Sequence, residues 1–405
     1  MIISEIYPEV GTCLDSDPAP DHSCGDKSTD EVSDRKPVAT PPNPPKLKDR
    51  FLALDAFRGV TVLLMLLVNN MALDALAPHE LVHADWNQGI TLADYVFPWF
   101  LLCVGLSIPF SFRSFHKSSL PPWRMDLRIL QRTVILFVLG CLVNHVIEPN
   151  LVLSLGVLQL IGMAYFVGAM VYELPWSRRL IIATLLMLSY ALAILFLPIP
   201  GHPTGSFTEQ ANFFGAINRI YLAPYNIDGL FSAIPTASLI ILGSLVTDVI
   251  LSKKLQPLAE LFFLVGVGGL LCAIGMSIEH WIPYNKPVWT PSYVLVAGGV
   301  GLEILACFYG LTKFAGLSKF TSPWVVLGSN PILAYVLPVF FKLCILAAWF
   351  VETPNGKIGV QQAALDTLVR DFGRISGGWA YTGIYIGFWW LVLLLMYRKR
   401  WFLRI

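Results

Sequence analysis

Charge is scarce in this chain. Asp, Glu, Lys and Arg make up 14% of its 405 residues and apolar types 55%, against about 25% charged in an ordinary soluble domain. That shortage excludes a soluble globular protein and predicts a polytopic membrane protein, since a spanning helix needs roughly 20 mainly apolar residues. The formal net charge is only +1, so there is no basic footprint and no nucleic-acid partner is expected. No Asn-x-Ser/Thr acceptor occurs anywhere. Of the seven cysteines, Cys13 and Cys24 lie near the start and Cys103, Cys141, Cys272, Cys307 and Cys344 lie in apolar runs. None has metal-ligand spacing, so no metal is expected. None falls in a predicted outer loop, which excludes an outer disulfide. These absences favour a bacterial inner membrane over a lysosomal one. The first residues lack a basic segment followed by an apolar one, which argues against a signal peptide. Ser-His-Asp order, a P-loop and a zinc motif are absent too.

What is present divides in two. Residues 1–50 are polar and Pro-rich, with Pro41, Pro42, Pro44 and Pro45 close together, and read as a disordered cytoplasmic tail. Residues 51–405 read as a transmembrane domain. The fold class expected is all-α, a bundle of about ten spans near 54–73, 91–112, 129–147, 154–172, 179–198, 229–251, 258–278, 292–312, 323–349 and 379–397. The ninth is long and interrupted by Pro331 and Pro338, which predicts a kink or a split. Basic residues fix the expected orientation. Lys46, Lys48 and Arg50 precede the first span. Arg113, Lys117, Arg124 and Arg128 follow the second, Arg178 and Arg179 the fourth, Lys253 and Lys254 the sixth, and Lys313 and Lys319 the eighth; Arg398, Lys399 and Arg400 follow the last. All share one side when both termini are cytoplasmic. The loop between the first two spans, with Asp74, Glu80 and Asp85, then lies outside. Longer outer loops at 199–228, 279–291 and 350–378 are either simple connectors or the roof of a pocket.

His83 stands in that first outer loop, within His83-Ala84-Asp85-Trp86-Asn87-Gln88-Gly89. A titratable imidazole at the lip of a membrane bundle is a functional candidate. Asp94 follows in the first turn of the second span. It either complements the helix N-terminus, binds a cationic amine or orients His83. Asn69 and Asn70 end the first span, as interhelical hydrogen-bond partners or as groups that orient the imidazole or donate to an oxyanion. Trp86 is either an interfacial aromatic or a wall for a sugar ring. Asp55 and Arg58, three apart, either pair as helix neighbours or place Arg58 against a cytoplasmic anionic ligand. His79, His145, His202 and His280 read as surface residues, and His116 as solvated in a basic inner loop.

Several motifs together carry a resemblance: Leu54-Asp55-Ala56-Phe57-Arg58-Gly59, Val68-Asn69, His83-Ala84-Asp85-Trp86-Asn87 and Ala93-Asp94-Tyr95-Val96-Phe97-Pro98. Gly156-Val157-Leu158-Gln159, Pro198–Gly205, Tyr225–Gly229, Asn285–Tyr293, Gly328–Tyr335 and the Tyr397–Ile405 tail continue it. In this order they resemble the heparan-α-glucosaminide N-acetyltransferase family and its bacterial relatives, over roughly residues 51–405. The resemblance implies a membrane-embedded transferase that takes acetyl-CoA as donor from the cytoplasm and acetylates an amino sugar or glycan on the other side. It implies His83 as catalytic residue with Asn69 beside it. Asp94, Trp86, Asn87, Asp228 and Asn330 are then expected at the acceptor, and Asp55, Arg58, Arg132 and Gln159 at the donor. Membrane lipid surrounds such a protein, and a homodimer is compatible with the family. The chain departs from the family in three places: Gln88 intervenes before Gly89 where Trp-Asn-Gly is usual, Leu160 replaces an arginine, and Asp228 replaces a frequent glutamate. The outer N-terminal domain of the lysosomal member has no counterpart here. The competing readings are a transporter or channel for a small solute, an acyltransferase for another cell-envelope glycan, and an inactive scaffold that kept the fold.

Overall fold

The computed structural model describes residues 51–118, 120–147, 155–227, 229–316, 318–346, 348–353 and 356–403. Residues 1–50 and Asp228 therefore lie outside the described residues. Thirteen α-helices occur among those that are described. They are α1 (Leu52–Asn70), α2 (Leu92–His116), α3 (Trp123–Ile147), α4 (Val157–Met170), α5 (Trp176–Phe196), α6 (Phe213–Ile217), α7 (Ala233–Leu251), α8 (Pro257–Ile278), α9 (Pro291–Lys313), α10 (Ser318–Gly328), α11 (Pro331–Phe340), α12 (Val360–Phe372) and α13 (Arg374–Arg398). One short antiparallel hairpin joins β1 (Phe350–Thr353) to β2 (Gly356–Gly359).

The protein is an all-α polytopic bundle. Eight described helices are long and apolar enough to cross a membrane, and α10 with the α11 segment through Leu346 forms a ninth, bent by 65°. The remaining expected span, near 154–172, is α4, an apolar helix of only 14 residues. The bend has a local cause. Asn330 precedes Pro331, whose ring disfavours helical backbone in the residue before it, and Asn330 leaves the helix at φ −134°, ψ 61°. Pro331 then occupies the first turn of α11, where no N–H is needed.

Burial sorts the helices. The apolar windows of α2 and α7 are 72% buried and that of α9 is 61% buried, whereas those of α3, α8 and α13 are 22% buried. The second group turns residues such as Val134, Val138, Phe262, Leu270, Leu391 and Leu395 outward, as helices facing lipid do. Small residues bring α1 against α10: a Cβ on Gly59 would lie 1.8 Å from the Trp324 carbonyl oxygen, and one on Gly328 would lie 2.2 Å from that of Asp55. Close backbone approach through small residues is a common solution for helices packed in lipid.

The bundle has two chemically different ends. At one, Arg113 donates to the Leu251 carbonyl at 2.8 Å, and Arg179 pairs with Asp248 at 2.5 Å. Tyr172 donates to the same carboxylate at 2.9 Å. Burial, then the adjacent Asp248 charge, pushes the Tyr172 phenol above its ordinary pKa. At the other end Arg374 pairs with Asp74, and Asn87 donates to the Phe207 carbonyl at 3.2 Å. Loops that alternate along the chain thus collect at opposite ends, as successive antiparallel helices require.

Candidate active site

His83 is held from below by the start of α2. Thr91-Leu92-Ala93-Asp94 forms a capping box, in which Thr91 and Asp94 satisfy each other's backbone N–H groups. The Thr91 hydroxyl also donates to the Val82 carbonyl at 2.7 Å, which pins the chain one residue before His83. Asp94 is almost fully buried, and its two oxygens have separate tasks. Oδ2 accepts from the backbone N–H of Thr91 at 3.1 Å and of Ala84 at 3.2 Å. Oδ1 faces His83 Nδ1 at 2.9 Å. A carboxylate accepts from a ring N–H, so this contact sets the tautomer: Nδ1 carries the proton and Nε2 presents a lone pair. The His83 side chain remains 53% exposed, open to an incoming group.

A second cation completes the cluster. Lys286 Nζ lies 3.4 Å from Asp94 Oδ1, 2.9 Å from His83 Nδ1 and 3.1 Å from Nε2. With Nδ1 protonated, Nε2 is the atom able to accept from the lysine. The loop carrying Lys286 is stiffened by Asn285, whose Oδ1 accepts from Val288 N at 3.0 Å and whose Nδ2 donates to Asn87 Oδ1 at 3.2 Å. Burial lowers the Lys286 pKa below the ordinary lysine value, and the Asp94 charge opposes that shift. The Tyr293 hydroxyl donates to the Asp94 main-chain carbonyl at 2.6 Å and ties α9 to the same helix start.

This cluster opens on a cavity of about 170 Å³, walled by Asn69, His83, Lys286 and Tyr335 among apolar groups from α1, α2 and α4. A second cavity of about 260 Å³ is walled by Arg58, Ser107, Arg132, Ser329, Asn330 and Leu403. Phe100, Leu158 and Ile161 belong to both walls. The two spaces are therefore back to back across a thin apolar partition, one at the His83 end and one at the Arg58 end.

In the second cavity Arg58 pairs with Asp55 at 3.1 Å and donates to Ser107 at 2.7 Å. The Arg132 guanidinium lies 4.4 Å over the Tyr165 ring, and its buried Nε has no hydrogen-bond partner among the described residues. Two cations of which one is short of acceptors suit a phosphorylated ligand.

The structure thus brings His83, Asn69 and Asp94 to one centre and Arg58, Asp55 and Arg132 to another. Other sequence candidates lie elsewhere. Asn330 is in the Arg58 cavity wall, where its amide donates to the Trp401 carbonyl at 2.9 Å and accepts from Leu403 N at 2.9 Å. Trp86 packs tilted against Phe207, with ring centroids 5.6 Å apart, in a satellite aromatic cluster and lines a separate cavity of about 150 Å³. Asn87 braces the Lys286 loop. Gln159 is buried against α3, near Gly140 and Cys141. Gln88 sits in an exposed turn, its N–H donating to the Asp85 carbonyl at 3.1 Å. Asn87 (φ 57°) and Gly89 (φ 95°) absorb the reversal, so the extra residue leaves the His83–Asp94 contact intact. Leu160 is buried in the core. Lys286 is not singled out in the sequence; its signals are its place in the Asn285–Tyr293 stretch and an ionisable group held between Pro283 and Pro287 in a short outer loop.

Residues 50–275 match the family described as heparan-alpha-glucosaminide N-acetyltransferase, catalytic. Heparan-alpha-glucosaminide N-acetyltransferase of Homo sapiens is 26% identical over 427 aligned positions, covering 89% of this chain and 60% of the human protein. That of Mus musculus is 27% identical over 356, covering 71% of this chain and 53% of the mouse protein. The chain spans between half and three fifths of the length of these relatives. His83, Asn69, Asp94, Arg58 and Arg132 all fall inside the matched family segment, whereas Lys286 and Asn330 lie beyond it.

Proposed function

The chain belongs to the heparan-alpha-glucosaminide N-acetyltransferase family, and from that premise we propose that it transfers an acetyl group from cytoplasmic acetyl-CoA to the amine of a glucosamine-type sugar on the opposite side of the membrane. The observation that carries this reading is the pair of cavities sharing Phe100, Leu158 and Ile161. One end supplies cations for the nucleotide and phosphates of the donor; the other supplies a base for the acceptor. The pantetheine arm would cross the partition, so the acetyl group reaches His83 without the nucleotide leaving its own side. The Lys/Arg bias supports assigning the Arg58 end, with both termini, to the cytoplasm. The lack of outer cysteines and of Asn-x-Ser/Thr supports a bacterial inner membrane.

The chemistry follows from the tautomer. Asp94 holds the His83 Nδ1 proton; when the Lys286 ammonium turns from Nε2 to the thioester carbonyl, Nε2 is free to take a proton from the acceptor amine as its nitrogen attacks the thioester carbonyl carbon. The Asn69 amide has no partner among the described residues and lines the cavity; it and the Lys286 ammonium are the donors for the developing oxyanion. Collapse breaks the C–S bond, and the proton on Nε2 passes to the departing thiolate. Amide and CoA thiol are the products. Acetylation of Nε2 first, followed by attack of the amine, is the two-step form of the same reaction, and rapid-quench trapping of labelled acetyl-enzyme distinguishes them.

The test uses purified full-length protein in lipid nanodiscs with acetyl-CoA and a panel of amino sugars, following free CoA. His83→Ala is expected to lower kcat by about 10²- to 10⁴-fold, the usual contribution of a positioned general base. Normal transfer by that variant would overturn the assignment. Solute uptake without CoA would instead favour a carrier.

A further inference from the structure

One wall of the His83 cavity has a second hollow behind it that no step above uses. This chamber measures about 340 Å³, twice the volume of the His83 cavity, and lies between α1, the end of α3 and α11. Met65, Asn69 and Tyr335 line both spaces. Met65 and Asn69 stand four apart on α1 and share a face, so Met65 lies one turn nearer the Phe100, Leu158 and Ile161 partition. Tyr335 closes the same wall from α11, and its hydroxyl has no hydrogen-bond partner among the described residues. Immediately behind this wall the chamber is apolar, with Leu66, Ala334, Pro338 and Val339. Its polar groups lie farther out. Asn70 ends α1, and α11 runs outward from the Arg58 cavity, whose wall includes Pro331 and Leu333. Lys342 follows Tyr335 by seven residues along that helix and its π-helical extension, about 10 Å at 1.5 Å per residue.

The substituents of the reacting carbon indicate what this hollow serves. In the mechanism proposed above, the tetrahedral intermediate carries sulfur, oxygen, the acceptor nitrogen and the alkyl carbon of the acyl group. Sulfur arrives through the partition, oxygen is held by Asn69 and Lys286, and nitrogen lies at the exposed His83. The alkyl carbon is left facing the Met65–Tyr335 wall, which has room behind it. Met65 is almost fully buried. Methionine has three rotatable bonds and fills irregular gaps, so Met65 is a plug that shifts without breaking a hydrogen bond.

We propose that this chamber receives the alkyl chain of donors longer than acetyl, short straight-chain acyl-CoA thioesters such as propionyl and butyryl, and that Met65 sets the chain length by closing its mouth. The proposal rests on the acetyltransferase reading. The step is unchanged in its balance: the N–C bond forms, the C–S bond breaks, and the amine proton ends on the CoA sulfur. Only the alkyl group differs. An acetyl methyl fits in front of the wall, whereas each further methylene must displace Met65. Two added methylenes reach only the apolar near part of the chamber and stop short of Lys342. Met65 is then a specificity residue with no part in bond making.

The experiment follows CoA release from acetyl-, propionyl- and butyryl-CoA with a panel of amino sugars, using full-length protein in nanodiscs. In wild type kcat/KM is expected to fall about tenfold per added methylene, the cost of a methylene against a closed apolar pocket. Met65→Ala should leave acetyl transfer within about threefold and raise butyryl transfer at least tenfold. Ala334 lines the chamber but not the His83 cavity, so Ala334→Leu fills the space from behind. Added to Met65→Ala, it should abolish the butyryl gain and spare acetyl transfer. An unaltered order of chain lengths in Met65→Ala, or a gain that survives Ala334→Leu, overturns the proposal. If thermal unfolding shows that Met65→Ala does not fold, Ala334→Leu alone decides: it should cut the residual butyryl transfer of wild type at least fivefold with acetyl transfer unchanged, and equal effects on both donors overturn the proposal. If wild type transfers no acyl group to any amine, the acetyltransferase reading fails by itself. Thermal shifts with the acyl-CoA thioesters then decide the chamber. Extra stabilisation by butyryl-CoA over acetyl-CoA that Met65→Ala enhances and Ala334→Leu removes supports it, and equal stabilisation by both overturns it.

Discussion

Asp94→Asn isolates the contribution of the His83 tautomer because the substitution keeps shape and removes one acceptor. The carboxylate oxygens are not equivalent. Oδ2 receives two backbone N–H groups, from Thr91 and Ala84, and Oδ1 receives His83 Nδ1 at 2.9 Å and lies 3.4 Å from Lys286. An asparagine must turn its carbonyl toward the two N–H groups, since the reverse orientation would set donors against donors. Its NH2 then occupies the Oδ1 position and faces the ring. His83 must then favour a lone pair at Nδ1 with its proton on Nε2, and the tautomer able to act as a base becomes the minor one. The charge-assisted hydrogen bond removed is worth about 1.5–3 kcal/mol, which at about 1.36 kcal/mol per factor of ten predicts a fall in kcat of roughly 10- to 100-fold. The helix start keeps its accepting oxygen, so the stability cost stays near the value of a cap, about 1 kcal/mol. Asp94→Ala would strand both N–H groups and Lys286 and is expected to destabilise by about 3–5 kcal/mol. The assay is CoA release under saturating acetyl-CoA and glucosamine, with thermal unfolding in nanodiscs as the check on folding. Asp94→Asn turning over within twofold of wild type, while His83→Ala is inactive, would refute the tautomer argument.

Four further outcomes follow from the structure. Burial lowers the Lys286 pKa, so activity that depends on its ammonium is present below that lowered value and declines as pH rises through it. Lys286→Arg, whose guanidinium stays charged to beyond about pH 12, should move the decline upward in a kcat–pH profile, and an unmoved limb would remove Lys286 from the mechanism. Lys286→Met should cost about 10²–10³ in kcat, the usual effect of losing an oxyanion donor. Arg132→Met should raise the KM for acetyl-CoA about tenfold with kcat nearly unchanged, the signature of lost uniform binding; a changed acceptor KM with an unchanged donor KM would contradict the assignment of the two cavities. Gly59→Ala should destabilise by about 1–3 kcal/mol, because its Cβ would meet the Trp324 carbonyl and force α1 from α10. Gly383→Ala meets nothing within 4 Å and serves as the neutral control in thermal unfolding.

The difference between what the chain discloses alone and what needs three dimensions is one of range. Spans are legible because bilayer thickness sets the length of apolar runs. The bend at Asn330 is legible because Pro331 acts on its immediate neighbour. Thr91-x-x-Asp94 announces a capped helix start within four residues, and eight residues upstream of that cap stands His83. The task of each Asp94 oxygen is not local, since it depends on which groups arrive from elsewhere in the fold. Lys286 arrives from 203 residues beyond His83, and no periodicity links them. Asn330 fails to group with the acceptor residues for the same reason: the bend that frees its backbone turns its amide to a C-terminal tail at the opposite end. Trp86, three residues from His83, points into the Phe207 cluster because the turn at Asn87 and Gly89 reverses the chain there. A membrane bundle makes this contrast sharp. Its spans are nearly uniform in composition, so sequence can count them, while the few polar groups that distinguish one end from the other meet only through packing. The partition of Phe100, Leu158 and Ile161 shows the consequence. Three ordinary apolar residues, brought together from α2 and α4, stand between the Arg58 cavity and the His83 cavity.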